Sequence, residues 1–394
     1  MRRFWLIFAV LIFSGCSSGP NWLGGEAKKA PSATEPEAIE EFNAPQPGKS
    51  TALVTLWKSS LASAPGKYDQ HPGRFVVDRE EIFVGTFQGH VVCVSAQDGR
   101  EKWNVAIAET VMGGVAVDGQ RVFAGTINGE MVALDRQSGQ ELWRTQVSTT
   151  VASAPTVAGT RVLFMTLDNR TYALDVQSGK RIWMHARPPQ DLVMHGAAPP
   201  EVVNNGVFVG YSSGEVFALS LENGTPLWSQ NLTVARGRGE LDLIQDVDAG
   251  VVIPTDSKMK ARAFTVNHQG NVVALHLSTG NYVWKRILSA VRPPLFYQEK
   301  LYVADMDGAL QALNGEDGLP LWTVRLSSGL LTAPVQFRER IFIADNQEHL
   351  FSLDPLTGNL LGRDDLGDPI LADPLVRDGS LYLWTNDGNL IKFQ

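Results

Sequence analysis

The chain has few cysteines, and it lacks the sequence patterns that are typical of zinc-binding and phosphate-binding sites. Only two of its 394 residues are cysteines, Cys16 and Cys93, so no disulfide framework is indicated. The seven histidines show no metal-ligand spacing such as His-Glu-x-x-His, and no Gly-x-x-x-x-Gly-Lys phosphate loop occurs. These absences leave zinc-enzyme and phosphate-loop chemistry without a visible site.

Positive charge and long apolar runs are also scarce. The chain has 34 basic and 42 acidic residues and a formal net charge of −8, which argues against a nucleic-acid partner. The longest apolar run, residues 4–13, is too short to span a membrane as a helix. It follows the basic residues Arg2 and Arg3 and ends in small residues, so we predict a secretory signal peptide over residues 1–15.

Cys16 is the predicted site of lipid attachment. The segment Phe13-Ser14-Gly15-Cys16 resembles a bacterial lipobox, with phenylalanine at the position that usually holds leucine. This resemblance implies cleavage before Cys16, acylation of the cysteine with palmitate-type chains, and anchoring at the periplasmic face of the outer membrane. Residues 16–50 are rich in Pro, Glu, Ala, Lys and Gly, which predicts a flexible tether. The alternative is an ordinary cleaved signal with an incidental cysteine.

Residues 51–394 repeat one pattern eight times. Each copy has a Gly-turn, a short apolar run ending in Ala-Leu-Asp or a similar triplet, a Ser-Gly turn and, in most copies, a tryptophan. The opening position is held by Gly89, Gly129, Asn169, Gly214, Gly270, Gly308, Glu348 and Gly388, with steps of 40, 40, 45, 56, 38, 40 and 40 residues. A period near forty residues predicts an all-β fold, an eight-bladed β-propeller of four-stranded antiparallel blades.

The third repeat shows the four strands most clearly. We predict strands over residues 152–157, 161–166 and 171–175, and a fourth around residues 182–184. Glycines and other turn residues separate these runs, and the β-branched and aromatic residues within them suit a sheet that is buried on both faces. One repeat is therefore one blade.

The two ends of the propeller are predicted to pair with each other. The eighth repeat stops before its tryptophan strand, while residues 53–57, which end in Trp57, stand alone before the first full repeat. We therefore expect an N-terminal strand to complete the C-terminal blade and close the ring. In the seventh repeat Gly362 stands at the tryptophan position, which predicts that this blade has lost its packing residue.

The repeated polar and aromatic residues are interpreted as structural. We expect the tryptophans to pack between blades, and the aspartates of Ala-Leu-Asp, such as Asp135, Asp175 and Asp354, to accept hydrogen bonds at turns. Cys93 lies on a strand of the first blade and is expected to be a small, buried, unreactive core residue.

The repeat is similar to that of quinoprotein alcohol and glucose dehydrogenases. That resemblance implies pyrroloquinoline quinone above a calcium ion, with a vicinal disulfide and a carboxylate cage supplied by long insertions. This chain has no adjacent cysteines and is close to the bare repeat. We therefore predict no catalytic residue, cofactor or metal site, and no enzyme activity. A quinone-dependent dehydrogenase stays open as an alternative, as does a lipoprotein propeller that binds another envelope protein or a glycan.

Two consecutive connections are longer than the repeat requires. Trp143 and Pro155 are 12 residues apart, but Trp183 and Pro200 are 17 apart, and the connection after Trp228 is longer still. Both connections lead from the outer strand of one blade to the inner strand of the next. Since strand direction alternates in the same way in every blade, we expect both on one face of the ring, side by side.

These two connections carry the predicted partner-binding residues. The first contains Leu192, Met194 and His195, and the second contains Asp246 and Asp248. Apolar anchors beside charges that set orientation are typical of a protein-binding patch. The alternative is a pair of ordinary solvated loops. A separate extension at residues 254–260 lengthens the first hairpin of blade five and is expected on the opposite face.

Taken together, these features resemble the BamB family, the propeller lipoproteins of the outer-membrane β-barrel assembly machinery. The resemblance covers the whole chain and implies docking on the periplasmic domains of the barrel subunit BamA, as a monomeric propeller within the complex. In the family that face includes a Leu-x-Leu-Arg stretch and an Asp-Val-Asp stretch. Leu192 and residues 246–248 match, while Met194 and His195 stand at the second leucine and the arginine. Addition of nascent outer-membrane strands to a blade edge is a further open interpretation.

Overall fold

The computed structural model describes residues 49–61, 75–107, 110–190, 197–233, 247, 249–254, 257–268 and 270–394. All of these lie in a compact unit that spans Asn43–Gln394. They form eight four-stranded antiparallel sheets, the blades of a β-propeller. Within these ranges there is no α-helix, and hence none long and apolar enough to cross a membrane.

The strands of the first four blades follow one another along the chain, from the inner to the outer strand of each blade. Blade one has β2 (Phe75–Asp78), β3 (Glu81–Gly85), β4 (His90–Ser95) and β5 (Glu101–Ala106); blade two has β6 (Val111–Val117), β7 (Arg121–Thr126), β8 (Glu130–Asp135) and β9 (Glu141–Gln146). Blade three has β10 (Thr156–Ala158), β11 (Arg161–Thr166), β12 (Arg170–Asp175) and β13 (Arg181–Ala186); blade four has β14 (Glu201–Val203), β15 (Gly206–Gly210), β16 (Glu215–Ser220) and β17 (Pro226–Asn231).

The next three blades repeat this order, and the eighth takes its outer strand from the N-terminal end of the ring. Blade five has β18 (Val251–Val252), β19 (Arg262–Val266), β20 (Asn271–His276) and β21 (Tyr282–Ile287); blade six has β22 (Leu295–Tyr297), β23 (Lys300–Ala304), β24 (Ala309–Asn314) and β25 (Pro320–Arg325). Blade seven has β26 (Val335–Phe337), β27 (Arg340–Ala344), β28 (His349–Leu353) and β29 (Leu360–Asp365); blade eight has β30 (Leu375–Arg377), β31 (Ser380–Trp384), β32 (Asn389–Phe393) and β1 (Thr55–Ser60).

The predicted closure of the ring is confirmed. β1 pairs antiparallel with β32, with Thr55 opposite Phe393 and Ser60 opposite Asn389. The Val54 amide also donates a 2.9 Å hydrogen bond to the Gln394 carbonyl. The pairing extends three residues beyond Trp57, the last residue of the predicted strand, and it joins the two ends of the propeller through a backbone ladder.

One predicted strand of blade three is wrong at its start. The inner strand was expected over residues 152–157, but β10 begins only at Thr156. Pro155 cannot donate a backbone hydrogen bond to the ladder because it has no N–H. The Met165 amide instead donates a 2.8 Å hydrogen bond to the Ser153 hydroxyl, which takes the place of a backbone carbonyl as acceptor. Before this break the ladder continues only as an isolated bridge between Val151 and Thr166.

The predicted packing of the tryptophans between blades is confirmed. Seven tryptophan indoles donate a hydrogen bond of 2.9–3.3 Å to a carbonyl of the following blade. Each ring also lies against the Ser-Gly turn of that blade: a Cβ on Gly179, where φ is +68°, would be 2.6 Å from the Trp143 ring. Because glycine alone fits both the left-handed backbone and the ring, the repeat pairs each tryptophan with that glycine.

Blade seven lacks the packing tryptophan, as expected from Gly362, but its space is filled by another part of the chain. A Cβ on Gly362 would lie 2.5 Å from the Ser50 carbonyl oxygen and 2.7 Å from Thr51 Cα. The N-terminal segment of the ring therefore takes the space that a tryptophan fills in the other blades. It is held there by a 3.0 Å hydrogen bond from the Arg363 amide to the Lys49 carbonyl.

Candidate functional site at the enlarged connections of blades three to five

The two enlarged connections join β13 to β14 and β17 to β18. Each leads from an outer strand to the inner strand of the next blade, so both leave the ring on the same face, as expected. The residues predicted to bind a partner, Leu192, Met194, His195, Asp246 and Asp248, lie outside the described residues. Cys16, the predicted lipidation site, also lies outside them. The structure describes the bases from which both connections start and at which they end.

An ion pair between blades three and four holds the start of the first connection. Arg187 directly follows β13, and its Nε and Nη2 atoms donate hydrogen bonds of 2.8–3.0 Å to the Glu215 carboxylate on β16. The guanidinium also lies over the Phe217 ring, 5.2 Å from its centroid. A forked Arg–carboxylate pair stacked on an aromatic ring limits the rotation of both side chains.

Asn169 supports the next residues of the same connection. Its Nδ2 donates a 3.1 Å hydrogen bond to the Pro188 carbonyl. Its Oδ1 accepts hydrogen bonds from the backbone amide and the hydroxyl of Ser212, at 3.2 and 2.8 Å. Asn169 stands where most repeats have glycine and has a φ of +58°, a conformation that asparagine tolerates better than most residues. Its side chain thus ties the connection to blade four.

A buried hydroxyl network lies beneath these contacts. The Tyr211 hydroxyl is 2.7 Å from Thr171 Oγ1 and 2.8 Å from His185 Nδ1. Burial and then the charge of Arg187 lower the pKa of His185, while burial raises the pKa of Tyr211. The neutral imidazole is therefore the favoured form, and the three side chains join blades three and four.

The second connection ends on a buried valine. Val247, the centre of the Asp-Val-Asp run, is 1% exposed and its amide donates a 3.4 Å hydrogen bond to the Tyr211 carbonyl. A Cβ on Gly210 would lie 2.5 Å from the Val247 side chain, so only glycine at position 210 permits this approach. Tyr211 therefore contributes to the bases of both enlarged connections.

The hairpin extension of blade five belongs to the other face, as expected. It joins β18 to β19, and Met259 within it is 8% exposed and packs in the core shared with blade six. Ser257 donates a 3.0 Å hydrogen bond to the Glu299 carboxylate. The extension is thus a brace between blades five and six.

Two of the structural interpretations can be checked at named atoms. Asp135 Oδ1 accepts hydrogen bonds from the amides of Gln137 and Ser138 and from the Ser138 hydroxyl, which lower the pKa of Asp135. The predicted turn-capping role is confirmed there.

Cys93 is fully buried, and burial raises the pKa of its thiol to about 12. In the described ranges no group of three or more His, Cys, Asp or Glu side chains could hold a metal ion.

The sequence interpretation missed the residues that support the connections. The sequence analysis assigned no supporting role to Asn169, Tyr211 or the pair of Arg187 with Glu215. A signal was present, because asparagine replaces the usual glycine at position 169. Tyrosine likewise replaces, at position 211, the threonine that the first three blades have there.

Comparisons with known proteins agree on one family. The family model described as outer membrane protein assembly factor BamB matches residues 54–113, 88–324 and 306–394. The assembly factor BamB of Legionella pneumophila (strain Paris) is 30% identical over 200 residues, which are 50% of this chain and 51% of that protein. The BamB of Pseudomonas aeruginosa is 28% identical over 204 residues, 51% of this chain and 52% of that protein. The chain spans about half the length of the curated relatives it matches.

Solved structures agree on the fold. The crystal structure of BamB from Moraxella catarrhalis aligns with a TM-score of 0.78 and 22% identity, over 87% of this chain and 99% of that one. A quinohemoprotein alcohol dehydrogenase from Comamonas testosteroni aligns with a TM-score of 0.70 and 14% identity, over 86% of this chain and 76% of that one. At these identities both likenesses show the propeller fold alone. Because the family model matches the sequence from residue 54 to residue 394, the chain belongs to the BamB family.

Proposed function

We propose that this protein is a non-catalytic subunit of the outer-membrane β-barrel assembly machinery. It docks on the periplasmic domains of the barrel subunit BamA, and it assists the folding and insertion of outer-membrane proteins. The observation that carries the proposal is the pair of braced connections on one face of blades three to five. Tyr211 lies at the base of both, so a partner that contacts both connections meets a single rigid support.

The contact itself is assigned to the five residues named from the sequence. Leu192 and Met194 supply apolar anchors, while Asp246 and Asp248 supply charges that steer the approach of a basic surface. His195 replaces a permanent cation with a titratable one. The buried Val247 between the two aspartates gives their segment a defined attachment to blade four.

The location follows from the predicted lipid anchor. We assign residues 1–15 to the signal peptide, Cys16 to lipidation and residues 16–50 to a tether, with the propeller at residues 51–394. The mature protein is then a lipoprotein at the periplasmic face of the outer membrane. Several acyl chains on one cysteine give stable anchoring where a single chain would not. The names of the relatives, outer membrane protein assembly factors, support this location.

One other function has an observation in its favour. The similarity to a quinohemoprotein alcohol dehydrogenase makes a quinone-dependent dehydrogenase the second candidate. It is less supported, because at 14% identity the likeness concerns the fold and the family match is to an assembly factor. Quinone absorbance together with stoichiometric calcium in the purified protein would favour the dehydrogenase.

The test is co-purification from solubilised membranes with a matched charge control. The double substitution Asp246→Lys and Asp248→Lys reverses two charges on the proposed face, while Lys258→Glu and Lys260→Glu reverse two charges on the extension at the opposite face. We expect the first variant to lose at least nine-tenths of the recovered barrel subunit and the second to recover it like the wild type. Full recovery with the aspartate variant would overturn the assignment of this face.

A further inference from the structure

The inner strands of the blades surround a cavity on the axis of the ring. Inner strands of neighbouring blades contact one another: β2 contacts β6, β6 contacts β10, β10 contacts β14, β22 contacts β26 and β26 contacts β30. The cavity has a volume of about 360 Å³ and lies against β2, β6 and the start of β30, and against the residues that lead into β10 and β14. This volume is within the range of roughly 300–1,000 Å³ that is typical of small-molecule sites.

One register position of the inner strands faces this cavity. It is held in every blade by the residue that lies opposite the third residue of the next strand, and we call these eight residues the inner row. From blade one to blade eight the inner row is Val76, Ala116, Thr156, Glu201, Val252, Leu295, Val335 and Leu375. Val76, Ala116 and Leu375 line the cavity. Because the same register places side chains on the same face of equivalent strands, the whole row faces the axis.

Glu201 is the one charged residue of the inner row, all of whose members are described. Six of the others are apolar and the seventh is Thr156. Pro199, two residues before Glu201, also lines the cavity. The Glu201 side chain is accessible to water, but the walls of the channel limit its hydration, and this desolvation raises the pKa of Glu201. Within the described part of the chain its carboxylate has no ion pair and no hydrogen bond.

The other carboxylate at the cavity, that of Asp373, is already paired. Asp373 leads into blade eight, across the ring from blade four, and is the one charged residue among the twelve described residues that line the cavity. Its Oδ1 accepts a 2.8 Å hydrogen bond from the Ala333 amide and lies 3.8 Å from Arg292 Nη1. The remaining lining residues are apolar. The uncompensated charge of the channel is therefore the carboxylate of Glu201.

We propose that the axial cavity binds a small organic cation, an ammonium group on an apolar chain, with the ammonium beside Glu201 and the chain against the apolar wall of blades eight, one and two. A charge-assisted hydrogen bond from the ammonium supplies the partner that the carboxylate lacks, and the chain gains from burial against the wall. An uncharged apolar ligand would leave Glu201 unpaired, and an anion would meet two carboxylates. The site goes beyond the proposed function, because it lies on the axis and needs no other subunit.

The test is a titration of the full-length protein with pentylammonium chloride, followed by NMR signals of the ligand. We expect saturable binding to the wild type. Glu201→Gln keeps the size of the side chain and removes its charge, and we expect it to weaken binding at least tenfold. Glu222→Gln makes the same change at an exposed turn of blade four, between β16 and β17, and is expected to leave binding unchanged.

A second variant tests the place of the apolar chain. Ala116→Leu puts on blade two the residue that blades six and eight carry in the inner row, so the register accepts it while the cavity is partly filled. We expect it to weaken binding of pentylammonium at least fivefold.

Two further probes, 1-pentanol and pentanoate, separate recognition of the cation from uptake of any apolar chain. Both have the same chain as pentylammonium without its positive charge, and we expect each to bind at least tenfold more weakly. The proposal would be overturned by the absence of saturable pentylammonium binding to the wild type, by equal binding to the wild type and Glu201→Gln, or by 1-pentanol binding as well as the amine.

Discussion

The backbone of Thr51 occupies the space beside Gly362 that tryptophan occupies in the other blades. The Thr51 hydroxyl donates to the Asp364 carboxylate, and the Thr51 carbonyl accepts a 3.2 Å hydrogen bond from Arg340. Thr51 is 1% exposed. The loss of a large side chain in blade seven is thus matched by a segment more than 300 residues away in the sequence, which leads directly into β1. Blade seven and the ring closure are therefore coupled.

Gly362→Ala tests this coupling. The added Cβ would lie 2.5–2.7 Å from backbone atoms of residues 50 and 51. Because these are backbone atoms, no change of side-chain rotamer can remove the clash. We expect the free energy of unfolding to fall by about 1–3 kcal/mol and hydrogen exchange at the Arg363 amide to accelerate. Gly119→Ala is the control, because nothing lies within 4 Å of its Cβ. Equal thermal unfolding curves for the two variants would contradict the coupling.

A second prediction concerns the ion pair that fastens β1. Lys58 Nζ lies 2.9 Å from Asp368 Oδ2, which also accepts a 2.8 Å hydrogen bond from Asn389. Burial alone would raise the pKa of Asp368, but the hydrogen bonds from Lys58 and Asn389 outweigh it and the pKa is lowered. The ionised carboxylate therefore stabilises the fold above the ordinary Asp pKa of about 3.9, and this contribution is lost as the pH falls through the lower folded-state pKa.

A double-mutant cycle of Asp368→Asn and Lys58→Met measures this contribution. We expect a coupling free energy of about 1 kcal/mol or less at pH 7, because the Lys58 side chain is 45% exposed and solvent screens the pair. At pH 3, below the ordinary Asp pKa, the coupling should be smaller than at pH 7. Chemical unfolding at both pH values gives the two numbers, and a coupling that grows on acidification would show that the sign of the pKa shift is wrong.

A third prediction concerns a buried arginine between blades one and two. Arg136 has a side chain only 7% exposed, and it contacts Asp78 at 2.5 Å and Glu81 at 2.7 Å. The corresponding residues of blades three, four and five are Val176, Leu221 and Leu277, so the repeat does not require a cation here. Removing one partner of a desolvated ion pair leaves the other charges uncompensated.

Arg136→Ala is expected to lower the free energy of unfolding by about 2–3 kcal/mol, since the two acidic partners keep some contact with water. Lys102→Ala provides the matched control: it removes the other cation bound to Glu81, at 2.8 Å, from a side chain that is 42% exposed. That change should cost about 1 kcal/mol or less. Urea unfolding measures the free energy of unfolding of both variants. If both substitutions lower it equally, burial does not determine the contribution of Arg136.

The parts of this structure that could be predicted from sequence are those that repeat. Three local patterns recur along the chain: the forty-residue period, the four strands of a blade and the tryptophan packing. The closure could be predicted because the strand with Trp57 precedes the first full repeat, while the eighth repeat lacks a tryptophan strand. The contacts that break the repeat depend on residues distant in sequence. Neither the fit of Thr51 beside Gly362 nor the network of Tyr211 with His185 follows from any local pattern, because each joins different blades. Leu192, Met194, His195, Asp246 and Asp248 stay predictions.

The fourth prediction links the braced base of the first connection to function. Asn169→Gly keeps a residue that readily adopts the φ of +58°, as Gly89 and Gly129 do at the same repeat position with φ of 78° and 76°. It removes the hydrogen bonds to Pro188 and Ser212. We expect the free energy of unfolding to change by about 1 kcal/mol or less, while recovery of the barrel subunit from membranes falls about threefold to tenfold, because the connection loses its support.

Asn204→Gly is the matched control for this change. Asn204 also has a positive φ, 54°, but it lies in the hairpin between β14 and β15, where residues turn at the opposite face of the ring. The same substitution there should leave recovery of the barrel subunit at the wild-type level. If Asn169→Gly recovers as much partner as Asn204→Gly, the brace at the base of the first connection has no part in binding, and the contact must lie elsewhere on the propeller.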